Sequence, residues 1–248
     1  MLIDVHSHID FPQFEEDRAE IIKKAASEGI WIVNSGLGIE GGKKTLDLSR
    51  EYENVYASVG LQPTEISDEV VNEVLAFIES NKEEIVAIGE VGLDYYWIKE
   101  AATREKEEKN FRKFIELSKK LNLPLVIHSR DAEAETLKLL DEYNVKALLH
   151  CFGGDEKLAT EAAGKGHLIS IPTTIVNSKM KQDVVKALPL ESIVLETDAP
   201  YLSPVPKARN EPANIKVTAQ KIAEIKKAEA WLVAEETTKN AKKFFRLP

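Results

Sequence analysis

Two histidines separated by one residue stand near the start of the chain, and both have a side chain that binds metal ions. His6 and His8 follow the apolar run Leu2–Val5. Side chains two positions apart in a strand face the same side, so both imidazoles can coordinate one ion, and the same alternation predicts that Asp4 shares their face. An isolated pair of this kind is more often a hydrogen-bonded structural pair, so the rest of the chain must decide.

Further residues with metal-binding side chains follow apolar, strand-like runs elsewhere in the sequence. They are Glu90, His128, His150 and Asp198. Each has a structural alternative, such as a core histidine or a helix N-cap, but one metal site explains all of them together. The only cysteine is Cys151, which excludes a thiolate cluster, so the ligands must be nitrogen and oxygen atoms.

The number of these ligands predicts the chemistry. Four imidazoles and two carboxylates exceed what one tetrahedral ion needs, but they suffice for two ions that share a carboxylate, as in phosphoester hydrolysis. The predicted arrangement has Glu90 as the bridge, His6, His8 and Asp198 on the first ion, and His128 and His150 on the second. Glu90 and Asp198 are the catalytic candidates, because Asp198 is also placed to accept a proton from the attacking water.

The hydrophobic pattern supplies a scaffold that brings these residues together. Apolar runs of strand length alternate with longer amphipathic stretches, which is typical of repeated βα units around a parallel sheet. The eight predicted strands are Leu2–Val5, Ile30–Asn34, Val55–Val59, Ile85–Ile88, Pro124–Ile127, Ala147–Leu149, Leu168–Ile171 and Ile193–Leu195. Eight units in 248 residues predict an α/β fold, a (β/α)8 TIM barrel of the metal-dependent hydrolase type, with residues 1–248 as a single domain. In such barrels the active site lies at the C-terminal ends of the strands.

Two later segments are predicted to depart from the βα alternation. Tyr201–Pro212 carries three prolines and is predicted as a loop, because proline interrupts both helices and central strands. Ile215–Leu247 is predicted to form the eighth helix and a closing helix.

Composition limits the class of protein further. With 43% hydrophobic and 30% charged residues, the chain has the balance of a globular protein. Its net charge of -9 disfavours coating nucleic acid by bulk electrostatics but permits recognition of one phosphate or one strand end. No apolar run approaches the ~20 residues of a membrane span, and a strand is predicted directly after Met1. We therefore expect no membrane span, no signal peptide, a cytoplasmic location and a monomer.

Five segments, in order along the chain, resemble the signature blocks of the TatD-related metal-dependent deoxyribonucleases, a family of amidohydrolase-like barrels. The segments are Ile3–Asp10 (IDVHSHID), Gly89–Tyr96 (GEVGLDYY), Val126–Ala132 (VIHSRDA), Leu149–Gly154 (LHCFGG) and Leu195–Leu202 (LETDAPYL). The resemblance implies cleavage of single-stranded DNA from its 3' end, with the same six residues as metal ligands and Asp198 as the base. It implies two divalent ions, Mg2+ or Mn2+ for activity, although imidazole ligands also favour Zn2+ or Ni2+ as the bound ions.

One block departs from the family pattern. After the third strand the family usually has a histidine-proline-histidine turn, whereas this chain has Gly60–Thr64 (GLQPT). Gln62 can form hydrogen bonds but cannot change charge near neutral pH. The substrate is therefore open to alternatives, namely a small ester or amide, or aminoacyl-tRNA.

Several residues near the predicted strand ends are candidates for binding the substrate. They are Gln62, Arg130, Tyr95, Lys207 and Arg209. Arginine binds phosphate through paired hydrogen bonds, and the lysine and second arginine lie in the proline-rich loop, where they can contact a nucleic-acid backbone. Tyr95 and its aromatic neighbours Tyr96 and Trp97 can stack on unpaired bases. For each, the alternative is a packing or solvated role.

Overall fold

Eight parallel strands close into a barrel in their sequence order, in a computed structural model that describes all 248 residues. The strands are β1 (Leu2–Ser7), β2 (Ile30–Leu37), β3 (Val55–Gly60), β4 (Ile85–Asp94), β5 (Leu125–Arg130), β6 (Ala147–Leu149), β7 (Leu168–Ile171) and β8 (Ile193–Leu195). All eight predicted strands are present, and the predicted (β/α)8 barrel is confirmed.

Helices follow the strands and surround the barrel. They are α1 (Arg18–Ser27), α2 (Gly38–Glu51), α3 (Asp68–Ser80), α4 (Ala101–Leu121), α5 (Glu133–Tyr143), α6 (Glu156–Gly164), α7 (Lys179–Ala187), α8 (Ile215–Lys226) and α9 (Ala230–Phe245). The segment between β8 and the short 3-10 helix Pro212–Asn214 has no regular structure, as its prolines predict. None of these helices has the length and apolarity needed to cross a bilayer.

Two hydrophobic clusters lie on the two faces of the strands. The larger has 51 buried residues and fills the space between the barrel and its helices. The smaller cluster has nine buried residues and lies in the barrel interior. Its members include Val126 of β5, Leu148 of β6, and Ala241 and Phe245 of α9. His128 lies two positions beyond Val126 and therefore faces the same interior. The closing helix thus plugs the end of the barrel opposite the predicted ligands.

A one-residue bulge in β1 changes which side chains share a face. Between Asp4 and Ser7, β1 advances three residues while β2 advances two. The extra residue reverses the alternation, so Val5 packs in the barrel interior and His6, the next residue, also points inward. The prediction that Asp4 shares the face of the two histidines is therefore wrong. Its buried carboxylate accepts hydrogen bonds from the Thr197 backbone nitrogen at 2.8 Å and hydroxyl at 2.5 Å.

A second bulge lies in β4. Between Ile88 and Val91, β4 advances three residues while β5 advances two. The strand then continues to Asp94. Glu90 therefore lies inside the strand at the bulge, whereas the sequence predicted that it follows the strand end. Bulges are common beside active sites because they redirect a side chain.

The interior plug allows a stability prediction. Phe245 is only 3% exposed and packs in the interior cluster, whereas its neighbour Phe244 is partly buried at the edge of that cluster. We expect Phe245→Ala to lower the free energy of unfolding by about 3–5 kcal/mol, because it leaves a cavity. Urea denaturation measures this loss. Phe244→Ala is the matched control, and equal losses in the two variants would contradict the proposed packing of α9.

Candidate metal centre

Four side chains converge from the end of β1, the bulge in β4 and the segment after β8. The Nε2 atoms of His6 and His8 lie 3.2 Å apart. Glu90 Oε2 lies 3.4 Å from the first and 3.6 Å from the second, and Asp198 Oδ1 lies 3.7 Å and 3.5 Å from them. These five separations are nearly equal, although the four residues come from three different parts of the chain.

The spacing of these atoms fits a metal ion. Ligands at about 2.1 Å from a tetrahedral ion are about 3.4 Å from one another. His6, His8 and Asp198 form a triangle of donor atoms with sides of 3.2 to 3.7 Å, which are close to this value. Glu90 Oε2 forms a second triangle with the same two histidines, with sides of 3.2 to 3.6 Å. Nitrogen and carboxylate oxygen are ligand types for zinc, manganese and nickel. The donor set therefore suits a divalent cation in both chemistry and distance.

A second group of donors lies on the other oxygen of the same carboxylate. Glu90 Oε1 is 2.6 Å from Nδ1 of His128 and 3.6 Å from Nε2 of His150. The ring of His150 stacks on that of His6 with centroids 3.9 Å apart, so the two groups are adjacent. The structure thus brings all six predicted ligands together around Glu90.

Neighbouring strands hold the bulge that carries Glu90. The Glu90 backbone nitrogen donates to the Ser35 hydroxyl at 2.9 Å, and its carbonyl accepts from the Leu61 nitrogen, also at 2.9 Å. Ser58 donates to the Gly89 carbonyl at 2.8 Å. A Cβ atom on Gly60 would lie 2.3 Å from the Glu90 carbonyl oxygen, so only glycine fits there. The GLQPT turn therefore supports the centre through its backbone.

Backbone hydrogen bonds also join β1 to the segment after β8. Asp198 N donates to the His6 carbonyl at 2.9 Å, and His8 N donates to the Ala199 carbonyl at 2.7 Å. Asp198 has a left-handed backbone with φ of 55°, which is unfavourable for a residue with a side chain. Such conformations cluster at functional sites, and here the strained backbone aims the carboxylate at both histidines.

Three of the histidine rings are oriented through their remaining nitrogen. His128 Nε2 lies 2.9 Å from Asp94 Oδ2, and His150 Nδ1 lies 3.2 Å from Glu196 Oε2. His8 Nδ1 lies 2.8 Å from the Ser35 carbonyl oxygen. Metal-binding histidines usually have such outer partners, which fix the tautomer and the ring plane.

Sequence reasoning missed both outer carboxylates. Asp94 and Glu196 lie inside the GEVGLDYY and LETDAPYL segments, yet nothing in the pattern alone pairs them with a particular histidine. The pairs join residues 34 and 46 positions apart. A signal was present, because each acid follows an apolar strand in the same way as the predicted ligands.

Glu107 on α4 connects the centre to the surrounding helices. Its Oε1 accepts a hydrogen bond from the Asp94 backbone nitrogen at 2.6 Å, and the residue is only 1% exposed. Burial raises the pKa of Glu107 to about 7. A buried Lys181 on α7 similarly donates to the Cys151 carbonyl at 2.9 Å, beside His150. Both contacts fix segments that carry site residues.

The charges in the centre shift one another's pKa values. Burial alone would raise the pKa of Glu90, but His150, His128 and His6 outweigh it and hold this pKa well below its usual range. The pKa of Asp198 is lowered in the same way, since burial is outweighed chiefly by the hydrogen bond to His8. Burial opposes protonation of His8 and His128, yet their carboxylate partners raise each pKa to about 9.

Four of the five predicted substrate contacts are exposed, and three of these four have no ion-pair partner. Gln62, Arg130 and Lys207 are exposed, and none of them forms an ion pair. The Arg130 guanidinium lies over the Tyr96 ring at 3.7 Å and not beside Asp131.

The other two predicted substrate contacts have partners within the protein. Tyr95 is 7% exposed, and its hydroxyl donates to Glu108 at 2.8 Å beneath the strand end, so it cannot stack on a substrate. Arg209 donates to the Asp17 carboxylate at 2.9 Å and to the Gln13 carbonyl at 2.6 Å. Its guanidinium therefore joins the proline-rich loop to the segment before α1.

A closed parallel barrel with histidines and carboxylates at its C-terminal strand ends defines the class of metal-dependent hydrolases. Comparison with known proteins gives the family. The model of the TatD related DNase family matches residues 3–246, and this chain belongs to that family.

Individual relatives agree with this assignment. A Methanocaldococcus jannaschii protein named an uncharacterized metal-dependent hydrolase is 38% identical over 246 residues, which cover 98% of this chain and 96% of the relative. The human protein named deoxyribonuclease TATDN3 is 37% identical over 258 residues, covering 98% and 94%. The crystal structure of Escherichia coli YjjV, described as a TatD homologue, has a TM-score of 0.89 at 27% identity and covers 100% of this chain and 98% of that one. The protein is thus a metal-dependent hydrolase.

The pKa shifts predict how the metal-stripped protein responds to pH. His8 and His128 have a pKa of about 9 in the folded chain against 6.5 ordinarily, so their stabilisation is complete below pH 6.5 and is lost as the pH rises to about 9. The lowered pKa values of Glu90 and Asp198 act oppositely, since that stabilisation is lost on acidification. We expect the urea midpoint to fall between pH 6.5 and 9.

The control for this titration is His167→Asn. His167 is buried at the other end of the barrel, where its Nδ1 accepts from the Ala147 nitrogen, so the variant should keep the same decline with pH. A midpoint that stays level or rises over this range in the metal-stripped protein would contradict the charge arrangement described here.

Proposed function

We propose that this protein is a metal-dependent deoxyribonuclease that hydrolyses phosphodiester bonds of DNA, acting from the 3' end of single strands with two divalent ions. The observation that carries the proposal is that Glu90 Oε2 and Asp198 Oδ1 each lie 3.4 to 3.7 Å from the Nε2 atoms of both His6 and His8. The name of the human relative supports DNA as the substrate.

In this proposal the six clustered side chains hold two ions. His6, His8 and Asp198 would hold the first ion, His128 and His150 would hold the second, and Glu90 would be shared between them. Ions so bound supply Lewis acidity toward a phosphoryl oxygen and toward water. Mg2+ or Mn2+ is proposed for activity, and Zn2+ or Ni2+ as ions that the imidazoles also retain.

Asp198 is proposed as the general base. Its lowered pKa keeps the carboxylate ionised at neutral pH, so it can accept a proton from the attacking water. The water oxygen forms a bond to phosphorus as the bond between phosphorus and the leaving sugar oxygen breaks, and the leaving oxygen takes up a proton from solvent. The hydrogen bond from the Asp198 backbone nitrogen to the His6 carbonyl holds the Asp198 carboxylate in place during this step.

Exposed side chains at the strand ends complete the substrate site. Arg130 is proposed to bind a non-bridging phosphate oxygen, because its guanidinium has no carboxylate partner. Lys207 is proposed to contact the DNA backbone from the proline-rich loop, and Gln62 to donate a hydrogen bond where the family has a histidine. All of these residues belong to one chain, so a monomer and a single domain suffice.

Removing the central carboxylate tests the function. We expect Glu90→Gln to reduce cleavage of a 3'-labelled single-stranded oligonucleotide by at least about 100-fold, since both proposed ions lose a ligand. The assay is run with Mg2+ and with Mn2+. Glu84→Gln is the control, because Glu84 pairs with Arg50 on the surface. Undiminished cleavage by Glu90→Gln, or no cleavage by the unaltered protein, would overturn the proposal.

Metal content gives a test that does not depend on activity. We expect His150→Asn to lower the affinity for Mn2+ or Zn2+ by at least about ten-fold, whereas His167→Asn leaves it unchanged. Both histidines are buried, at 5% and 2% exposure, so the pair controls for the loss of a buried imidazole. Equilibrium dialysis with elemental analysis measures the affinity, and equal metal binding by both variants would count against the centre.

The salt dependence of substrate binding distinguishes DNA from the alternative substrate of a small neutral ester or amide. Binding of DNA weakens steeply as salt rises, because bound counterions are released, whereas a neutral ester or amide is almost indifferent. Glu90-dependent hydrolysis of a small ester or of aminoacyl-tRNA, without cleavage of DNA, would assign the protein to one of the alternatives instead.

A further inference from the structure

Two aromatic side chains project from the turn that follows β4. Trp97 is 67% exposed and Tyr96 is 43% exposed, and their rings pack edge to face with centroids 5.0 Å apart. Beneath them Tyr95 is buried, with Arg104 stacked on its ring at 4.1 Å. The buried tyrosine anchors the turn, so the two exposed rings are not required to form the core.

A cation accompanies the exposed rings. The Arg130 guanidinium carbon lies 3.7 Å from the Tyr96 ring centroid, and no carboxylate lies within 4 Å of its nitrogens. Lys99 Nζ lies 5.2 Å from the same centroid, so two cations cover the Tyr96 ring, whereas Trp97 presents most of its ring to solvent. Arg130 has no carboxylate partner and can bind an anion.

Backbone hydrogen bonds fix these side chains relative to the metal centre. Trp97 N donates to Asp94 Oδ1 at 2.9 Å, and the other oxygen of that carboxylate lies 2.9 Å from His128 Nε2. Tyr95 N donates to the Arg130 carbonyl at 2.8 Å. The aromatic pair, the arginine and the proposed ligand His128 therefore form one connected unit.

We propose that Trp97, supported edge to face by Tyr96, forms a stacking platform for an unpaired nucleobase, with Arg130 binding the phosphate beside that base. This inference rests on the proposed deoxyribonuclease function and adds to it the side chains that distinguish a single strand from a duplex. An exposed aromatic ring next to an unpaired guanidinium matches a flat base next to a phosphate. In a duplex the base faces are stacked on neighbouring bases, so the platform selects single-stranded ends.

Removal of the ring and removal of the base test the platform together. Trp97→Ala should raise KM for a single-stranded oligonucleotide roughly 5- to 150-fold, the range expected for loss of one stacked base. Oligonucleotides with one abasic nucleotide, placed in turn at each of the first few positions from the 3' end, should abolish this difference at one position. Trp97→Phe should recover most of the affinity.

Trp231 on α9 provides the matched control. It is 65% exposed, almost the same as Trp97, and Trp231→Ala should leave KM unchanged. Thermal unfolding of all variants establishes that they fold. If Trp97→Ala raises KM equally for intact and for every abasic oligonucleotide, or leaves KM unchanged, the platform is wrong while Glu90-dependent cleavage, and with it the proposed function, still stands.

A binding assay without turnover tests the stacking platform independently of the proposed nuclease function. A stacked base quenches tryptophan emission, so an oligonucleotide with bases should quench the Glu90→Gln protein, and a fully abasic one should not. The quenching should vanish in the Glu90→Gln protein that also carries Trp97→Phe. Quenching without cleavage by the unaltered protein would support the platform and reject the nuclease, and absence of quenching would overturn the platform.

Discussion

The carboxylate of Glu90 lies between four imidazoles, with nitrogen atoms of all four at 2.6 to 3.6 Å from its two oxygens. A carboxylate buried to this extent is costly unless cations or strong donors surround it. The rest of the site meets this requirement, because histidines arrive from three other strands and backbone hydrogen bonds hold the bulge that aims the side chain. Removing any one strand would leave a buried charge without its partners.

The same requirement extends outward from the centre. Each imidazole that faces Glu90 must have its ring plane fixed, and Asp94, Glu196 and the Ser35 carbonyl do this for three of them. Asp94 is in turn held by Glu107 on α4. A helix outside the barrel therefore helps to orient an individual imidazole ring, through a chain of buried hydrogen bonds.

The two ends of the barrel contain different types of side chain, apolar at one end and charged at the other. At one end Phe245 and Ala241 close an apolar interior, which supplies stability through burial. At the other end charged and strained groups, including the left-handed Asp198, are held close together at a cost to stability. Packing at the plugged end can support the strained end because both belong to the same continuous strands.

The sequence by itself determined the barrel and which side chains gather at one end of it. Strand and helix periods are local properties, and in a parallel barrel every strand ends on the same side, so His6, His128 and His150 had to meet. Only the tertiary structure decided the roles that depend on register. The bulge in β1 reverses the alternation that placed Asp4 wrongly, and the bulge in β4 places Glu90 inside its strand. An extra residue of this kind is visible only against the neighbouring strand. Likewise Tyr95 and Arg209 look available in the sequence, but partners distant in the chain bury one and pair the other.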